Sequence, residues 1–120
     1  MTEQNIPIPE LTPEEKVQYK EIGKVAYMTL NNPKKRNAID MSMVFRILDI
    51  LKQVDADPKL KCLVIKSTGD QTFCAGWDLA MFTQVNQTTI DNLLNIGATI
   101  SRSIYFLKKP VIMQIQGPAV

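Results

Sequence analysis

Residues 61–79, KCLVIKSTGDQTFCAGWDL, contain the two features that decide how this chain folds. The first is CLVIKS, a short apolar run with β-branched residues, which predicts a buried strand that Gly69 and Asp70 end. The second is TFCAGWDL, residues 72–79, which joins this strand to a helical segment without the hydrophilic residues usual in such a connection. A buried strand that leads directly into a helical segment is typical of an α/β fold.

The segments before this stretch predict a hairpin, a loop and a helix. VQYKEI and KVAYMTL, between residues 17 and 30, alternate apolar and polar side chains, and the Gly23-Lys24 pair between them indicates a hairpin turn. NNPKKRNA, residues 31–38, has the composition of a loop, and Asp40 is placed to cap the next helix, which Pro58 stops. The apolar face of that helix is predicted at Val44, Ile47, Leu48, Leu51 and Val54.

The segments after it predict a second amphipathic helix and a last strand. Thr88 with Asp91 resembles a capping box at the start of the helix, and Pro110 closes it. VIMQIQG, residues 111–117, predicts another buried strand. The apolar stripe of the helix is predicted at Ile90, Leu93, Leu94, Gly97, Ile100, Ile104 and Leu107.

The predicted order of elements is β-β-α-β-α-β, an α/β arrangement with crossover helices. Residues 1–15, which include Pro7, Pro9 and Pro13, are expected to form an extended N-terminal arm, and residues 16–120 one domain. A buried apolar strand such as the last one normally has neighbours on both sides. We therefore expect the fold to be truncated, the chain being the N-terminal portion of a larger domain.

The composition argues against several classes of protein. With 45% hydrophobic and 22% charged residues among 120, the chain lies in the ordinary globular range. The net charge is +2 and the only local basic cluster is Lys34–Arg36, so a nucleic-acid-binding face is not expected. No apolar run reaches the ~18 residues of a membrane span. The N-terminus lacks the pattern of a secretion signal, so a cytoplasmic location is expected.

The chain contains no histidine and two cysteines. Without histidine, Ser-His-Asp and Cys-His nucleophilic schemes and the usual metal sites are removed from this chain. The spacing of Cys62 and Cys74 matches no zinc pattern, so we interpret both as small buried hydrophobic residues and expect no metal site. Any chemistry here must use carboxylates, backbone groups or a bound cofactor.

The junction TFCAGWDL places small residues where backbone N–H groups are free to act. N–H groups at the start of a helix have no intrahelical acceptor and carry the positive end of its dipole, so they can stabilise a developing oxyanion. Ala75-Gly76 would let a ligand come close and leave the Trp77 N–H aimed outward, with Asp78 capping a helix that begins near Leu79. The alternative is a tight turn in which Gly76 only satisfies a backbone dihedral and Trp77 packs.

Three segments in order resemble the crotonase (enoyl-CoA hydratase/isomerase) superfamily. They are NNPKKRNAID, LVIKSTGDQTFCAGWDL and LKKPVIMQIQGPAV, and together they span most of the chain from about Val17 to Val120. The resemblance implies an α/β chain with part of the crotonase (ClpP/crotonase-like) fold of repeated ββα units. It also implies a homo-oligomer, a trimer or hexamer.

The resemblance implies a site for acyl-coenzyme A thioesters. Crotonase-type proteins stabilise a thioester enolate through two backbone N–H groups, and the position of the first is Trp77. In the preceding loop, Arg36 matches a position near the coenzyme A phosphates and Ala38 one against the nucleotide end; the alternative for Lys34–Arg36 is a solvated loop. Coenzyme A is then part of the substrate, and no permanently bound cofactor is expected. The segment that lines the thioester site matches Ala75, Gly76, Asp78 and Leu79.

The resemblance also implies what this chain lacks. In the family the second oxyanion donor and the catalytic carboxylates follow the G-P-A strand, so we expect the 120-residue chain to be inactive alone. We give Asp70, Asp78 and Asp91 no acid-base role and interpret them as turn, cap and helix residues. Trp77 is bulkier than the Ala often found there, which would make the acyl preference unusual. The alternative function is a non-catalytic crotonase-like protein that binds acyl-CoA or serves in assembly.

Overall fold

A four-stranded sheet with two long helices carries the predicted junction. The computed structural model describes residues 10–83 and 86–120. Its helices and strands are α1 Pro13–Lys16, β1 Val17–Ile22, β2 Val25–Leu30, α2 Met41–Ala56, β3 Cys62–Ser67, α3 Gln87–Tyr105 and β4 Val111–Met113. Short 3-10 helices lie at Pro33–Lys35 and Leu79–Phe82. The predicted order β-β-α-β-α-β is therefore confirmed, with α1 and the 3-10 helices as additions.

The two-residue turn Gly23-Lys24 forms the predicted hairpin. β1 and β2 pair antiparallel with Ile22 opposite Val25, and Gly23 takes φ +60°, in the left-handed region that favours glycine. Along β2 the residues alternate between fully and half-buried, which is the period-two pattern of a strand with one face on the core.

The sheet order is β1-β2-β3-β4, with β2, β3 and β4 mutually parallel. Parallel neighbours need crossover connections, and α2 and α3 supply them. β3 has a partner on each side, and its Leu63, Val64 and Ile65 are all buried. The prediction of a buried strand at CLVIKS is confirmed.

The last strand is shorter and more exposed than predicted. β4 covers three residues at the sheet edge and pairs, within the described chain, with β3 alone. Its Ile112 and Met113 are 53% and 44% exposed. The apolar run at 111–117 indicated a strand that can be buried, but burial needs a covering neighbour, so the prediction of a buried strand is wrong for these residues.

Helix α2 is built as predicted. The Asp40 side chain accepts a hydrogen bond from the Met43 N–H at 3.0 Å, and the helix ends at Ala56, two residues before Pro58. Leu48 of the predicted face is half-buried. The buried residues are Met43, Val44, Ile47, Ile50, Leu51 and Val54.

Helix α3 begins differently from the prediction. Its N-cap is Asn86, whose side chain accepts from the Thr89 N–H at 2.8 Å, so the capping box predicted at Thr88 and Asp91 is wrong. Asn is as good a cap as Ser or Thr, and it lies two residues earlier. Of the predicted stripe, Leu93 is buried while Leu94 is 66% exposed. None of the helices in the described part of the chain has the length and apolarity needed to cross a membrane.

The predicted N-terminal arm falls largely on residues 1–9, which lie outside the described residues. Of its remainder, Pro13–Glu15 belong to α1 rather than to an extended segment. Thr12 caps this turn in a capping box, in which its side chain accepts from the Glu15 N–H and Glu15 accepts from the Thr12 N–H at 2.9 Å. The turn places Lys16 against the start of α2.

Candidate functional site

The TFCAGWDL junction lies between two other segments of the chain. Ile39, in the loop that precedes α2, forms a parallel bridge with Trp77, and Ala119 forms another with Cys74. The junction is thus the middle segment of a small three-segment arrangement beyond the end of β3. Sequence patterns did not predict these bridges, because they join residues far apart in the chain.

The bridge to Ile39 determines which way the Trp77 N–H points. The Ile39 N–H donates to the Gly76 carbonyl and the Asp78 N–H donates to the Ile39 carbonyl, both at 2.8 Å. Because backbone groups of successive residues point to opposite sides of an extended segment, the Trp77 N–H points away from Ile39. Among the described residues it has no acceptor, although the N–H groups of Ala75, Gly76 and Asp78 all have one.

Gly76 is required by its backbone conformation. Its φ is +89°, where a residue with a Cβ is strained. A Cβ built at Gly76 would meet Val120 at 3.5 Å, an ordinary contact. The dihedral, rather than crowding within the chain, explains the glycine, and the space beside it is bordered by Val120.

The indole of Trp77 packs against helix α3 at Gly97. A Cβ built at Gly97 would lie 3.2 Å from Cζ2 of Trp77, which is tighter than an ordinary contact. Trp77 is half-buried. The side chain of Trp77 therefore has a packing role, as the tight-turn alternative supposed, while its N–H remains unpaired within the described chain. The helical spacing predicted Gly97 on the apolar stripe of α3, but the ring that packs there is 20 residues away in the chain.

Asp78 is a cap and an ion-pair partner. Its carboxylate accepts from the Ala80 N–H at 3.1 Å and lies 3.4 Å from the Lys35 Nζ. The predicted cap is confirmed, although the helix it caps is the 3-10 turn Leu79–Phe82. With its side chain 13% exposed and these partners present, Asp78 has the surroundings of a structural carboxylate.

The backbone of Arg36 is hydrogen-bonded to the junction. Its carbonyl accepts from the Ala75 N–H at 3.2 Å, and its φ of +53° is unusual for a residue other than glycine. The side chain is exposed and borders a surface cavity of about 160 Å³ that it shares with the turn at residues 68–72. The structure thus brings Arg36 next to the junction and leaves its guanidinium accessible.

Ala38 and Leu79 are placed very differently from each other. Ala38 is 6% exposed. Its N–H donates to the Lys35 carbonyl and its own carbonyl accepts from the Asn32 side chain, so its backbone groups already have partners. Leu79 is 82% exposed beside Asp78. Of the two, Leu79 offers the apolar surface that a ligand could cover.

The basic loop also borders a second, larger cleft. Lys34 and Lys35 are exposed, as the solvated-loop alternative supposed, and their side chains face a cleft of about 390 Å³. Carboxylates lie in the same wall, so the cleft carries both signs of charge. Its lining residues are Glu10, Leu11, Lys16, Asn32, Pro33, Lys34, Lys35, Asp40 and Asp78.

Asn37 is a site residue that sequence analysis left without a role. It is 2% exposed with φ +59°. Its Nδ2 donates to the carbonyls of Thr68 and Thr72 at 3.0 and 3.1 Å, and its Oδ1 accepts from the Asn32 N–H at 2.8 Å. The sequence signal for this role was weak. An Asn in a loop rich in turn residues favours the left-handed conformation, but its hydrogen-bond partners lie beyond β3, where the sequence pattern does not reveal them.

Cys74 has the environment of a structural thiol. It is 7% exposed, and burial raises its pKa above the ordinary value, an effect that the Gly76 N–H donating to Sγ at 3.4 Å opposes. The thiol is therefore protonated at neutral pH. The prediction of a buried small hydrophobic residue is confirmed for Cys74, whereas Cys62 is only half-buried.

Comparison with known proteins gives a consistent result. A family model described as enoyl-CoA hydratase/isomerase matches residues 20–120. The crotonyl-CoA hydratase of Syntrophomonas wolfei is 31% identical over 97 residues, which are 81% of this chain and 37% of that protein. The mitochondrial 3-hydroxyisobutyryl-CoA hydrolase of Danio rerio is 34% identical over 79 residues, 66% of this chain and 20% of the hydrolase. The chain thus spans well under half the length of these relatives.

Solved structures agree on the fold. A crystal structure of an enoyl-CoA hydratase from Bacillus anthracis superposes with a TM-score of 0.81 at 21% identity, covering 85% of this chain and 40% of the other. An enoyl-CoA hydratase/isomerase from Xanthobacter autotrophicus superposes with a TM-score of 0.79 at 26% identity, covering 86% and 39%. The observed sheet and helices therefore correspond to part of the α/β crotonase fold.

Proposed function

Because the chain belongs to the enoyl-CoA hydratase/isomerase family, we propose that it binds an acyl-CoA thioester at the junction Ala75–Leu79. The backbone N–H of Trp77 donates to the thioester oxygen. The observation that carries the proposal is this N–H, which has no acceptor in the described chain although its neighbours are bonded. The names of similar proteins, a crotonyl-CoA hydratase among them, favour the same class of ligand.

The proposed chemistry is stabilisation of an enolate oxygen. When negative charge develops on the thioester oxygen, a fixed N–H donor lowers the energy of that state more than the energy of the neutral thioester. The bridge to Ile39 fixes the Trp77 N–H before the ligand arrives, so little reorganisation is needed. The small residues Ala75 and Gly76 leave room for the thioester to approach.

The nucleotide end of coenzyme A is proposed to lie toward Arg36. Its guanidinium is exposed beside the junction and suits phosphate oxygens because it offers paired donors. Lys34 and Lys35 add positive charge to the same loop. Ala38 is buried with its backbone groups bonded, so we assign it a packing role behind this contact.

Replacing the Trp77 amide by an ester tests the donor directly. Cys74 permits ligation of residues 1–73 to a synthetic segment 74–120 in which the α-hydroxy analogue of Trp occupies position 77, so that the indole stays and the N–H is lost. The Gly76 carbonyl becomes an ester carbonyl, a weaker acceptor for the Ile39 N–H, and the matched control at Asp78 perturbs the other hydrogen bond of the same bridge. We expect crotonyl-CoA to bind about tenfold more weakly, the loss of one hydrogen bond to the thioester. Binding of free coenzyme A, which has no thioester carbonyl, is expected to be unchanged.

The matched control is the same ester at Asp78. This change removes the N–H that donates to the Ile39 carbonyl. It lowers the stability of the chain, but the preference for crotonyl-CoA over coenzyme A should remain. Equal affinity of the amide and Trp77-ester chains for crotonyl-CoA, measured by calorimetry, would show that this N–H is not the donor.

A second candidate function is acyl-CoA binding without turnover. It is favoured by the state of Asp78, the carboxylate adjacent to the donor, which is engaged by Ala80 and Lys35 and so is poorly placed to move a proton. The two candidates differ in whether the chain consumes the enoyl thioester. Loss of the enoyl absorbance of crotonyl-CoA would favour the enzyme, whereas binding without that loss is expected of the 120-residue chain under both candidates.

A further inference from the structure

The turn at residues 68–72 links β3 to the junction, and two side-chain amides from separate parts of the chain hold it. Asn37 reaches the turn from the loop before α2, and Gln116 reaches it from the segment after β4. Both amides lie within hydrogen-bond distance of the carbonyls of Thr68 and Thr72. The same two carbonyl groups are therefore approached from two directions.

Asn37 uses all of its side-chain hydrogen-bonding groups. A carboxamide has two donor protons, and those of Asn37 match its two acceptors, Thr68 and Thr72. Its oxygen accepts from the Asn32 N–H, and its own N–H donates to the Asn32 carbonyl at 2.8 Å. Fixed in this way and 2% exposed, Asn37 presents its amide to the turn in a single orientation.

Gln116 adds a weaker set of bonds to the same turn. Its Nε2 lies 2.8 Å from the Ser67 Oγ and 3.1 Å from the Gly69 carbonyl. It lies 3.3 Å from the Thr72 carbonyl and 3.5 Å from the Thr68 carbonyl, so two protons are shared among four oxygens. Its Oε1 is buried and has no partner in the described chain. Within the described chain the amide of Gln116 therefore bonds only through its donors.

The turn is connected to the Trp77 N–H by Phe73–Gly76, a segment whose N–H groups all have acceptors. The Phe73 and Cys74 N–H groups donate to the Pro118 carbonyl at 2.9 and 3.3 Å, and the Ala75 N–H donates to the Arg36 carbonyl. A shift of the turn is therefore transmitted along Phe73–Gly76 rather than absorbed by a flexible segment.

We propose that Asn37 and Gln116 form an amide clamp, defined by these two side chains, that positions the Trp77 N–H through the turn at residues 68–72. Both are positioning residues, since their side-chain N–H groups bond to Ser67 and the turn rather than to the junction. One consequence of the clamp, weaker acyl-CoA binding when it is removed, rests on the proposed function. The geometric part, displacement of the Trp77 N–H when the clamp is removed, does not depend on any ligand.

The test compares Asn37→Ala, Gln116→Ala and the double variant with Val54→Ala. Val54 is fully buried at the far end of α2 from Asn37, so its truncation destabilises the chain without touching the turn. The readout is the backbone amide resonance of Trp77 in a ¹H–¹⁵N spectrum, without ligand and with crotonyl-CoA. Guanidinium unfolding measures the stability of each variant.

We expect both clamp variants to move the Trp77 resonance in the absence of ligand, and Val54→Ala to leave it in place at comparable stability. The double variant should lose more stability than the two single losses together, because each amide alone still satisfies the Thr68 and Thr72 carbonyls. Crotonyl-CoA should bind about tenfold more weakly to Asn37→Ala, because the displaced Trp77 N–H no longer makes a well-aligned hydrogen bond to the thioester oxygen.

Asn37→Asp supplies a readout that a purely structural role would not move. The aspartate keeps the oxygen that accepts from Asn32 but must be protonated to donate to a carbonyl of the turn. We therefore expect the Trp77 resonance of Asn37→Asp to return toward that of the parent chain as the pH falls, and that of Asn37→Ala to show no such return. If Asn37→Ala does not fold, Gln116→Ala, at a half-buried position, carries the comparison with Val54→Ala.

Two results would overturn the clamp. One is a Trp77 resonance in the clamp variants that moves no further than in Val54→Ala. The other is unchanged affinity for crotonyl-CoA in clamp variants that remain folded. If the parent chain itself does not bind crotonyl-CoA, the proposed function fails, while the comparison without ligand still decides whether the clamp positions the N–H.

Discussion

The indole of Trp77 occupies the space that a side chain at position 97 would take. Cζ2 lies 3.2 Å from the point where a Cβ of residue 97 would sit, so the ring rests on the backbone of α3. No positive φ is found at Gly97, and its helical conformation is open to any L-residue. The absence of a side chain is therefore explained by the neighbouring ring. Trp77 is the only tryptophan of the chain, which makes the contact observable by fluorescence.

Gly97→Ala is expected to move the indole without unfolding the helix. Alanine gains about 0.5–1 kcal/mol over glycine within a helix, and crowding against the ring offsets part of this. The expected results are a small change in the free energy of unfolding and a red-shifted tryptophan emission, as the ring is displaced toward water.

Two control experiments test whether the shift in tryptophan emission comes from contact between the ring and residue 97. Asn95→Ala changes an exposed residue of the same helix and should leave the emission unchanged. In a Trp77→Ala background, Gly97→Ala should stabilise the chain by the full helix gain, since nothing is left to crowd. Emission from Gly97→Ala that is identical to that of the parent chain would mean that the ring does not rest on residue 97.

Sequence patterns predicted the roles of single residues only where the hydrogen-bond partner is close in the chain. Asp40 and Asp78 are caps as predicted, because each bonds to an N–H two or three residues ahead. Asn37 and Gln116 received no role, since their partners lie on the turn after β3 and only the folded sheet brings them together. The direction of the Trp77 N–H depends on the bridge to Ile39 in the same way.

Asp40 joins two helical elements at their ends. It caps α2 and also accepts from the Lys16 Nζ of α1 at 2.7 Å, in a pair whose side chains are 11% and 19% exposed. Burial acts to raise the pKa of Asp40, but hydrogen bonds from Lys16, Ser42 and the Met43 N–H outweigh it, so the pKa lies below its ordinary value. A lowered pKa means that the charged form stabilises the folded chain.

Asp40→Asn removes the negative charge of Asp40 but keeps a side chain that can cap the helix. Asparagine still caps α2, whereas Lys16 loses its counter-charge in a mostly buried position, so we expect a loss of about 2 kcal/mol at pH 7. This difference from the parent chain should be complete above the unfolded pKa of about 3.9 and should shrink as the pH falls through the folded pKa. Denaturant unfolding of both chains from pH 7 to pH 3 measures it.

Asp49→Asn is the matched control, since it removes a carboxylate from an exposed position of the same helix that forms no ion pair in the described chain. It should leave the stability nearly unchanged at every pH. A difference between Asp40→Asn and the parent chain that is equally large at pH 3 would argue that the ion pair is not its source.

Whole elements were predicted best where the sequence period is clear. The hairpin, α2 and β3 were predicted from the spacing of their apolar residues, because each buries one face or one continuous apolar run in the core. The start of α3 was misplaced, since several residues near it can cap and only the backbone decides which one does. β4 was expected to be buried because an apolar run reveals the preference of a strand but not whether a neighbour covers it.

At the scale of the whole molecule, the two edges of the sheet differ in their protection against association. The β1 edge carries Lys20 and Glu21, and charges of this kind oppose pairing with another strand. The three residues of β4 are Val, Ile and Met, without a charge. Ile112 and Met113 of β4 are exposed, and so are three further apolar side chains at this end of the chain, Tyr105, Phe106 and Ile115.

We expect the 120-residue chain to self-associate through the β4 edge in the micromolar to millimolar range. Ile112→Lys places a charge on that edge and should shift the population toward the monomer in sedimentation velocity experiments. Ile22→Lys is a closely matched control, because Ile22 is also 53% exposed but lies on β1, at the opposite edge. A parent chain that sediments as a monomer throughout this range would refute the expectation.

The two bridges that flank the junction have a consequence for the order in which the molecule forms. The β1–β2 hairpin needs only neighbouring residues, so its loop closure is easy and early. The candidate site needs Ile39, Trp77 and Ala119 to meet, and a ribosome must deliver almost the whole of this chain before they can. The β1–β2 hairpin thus has time to form first, and the candidate site can assemble only after it.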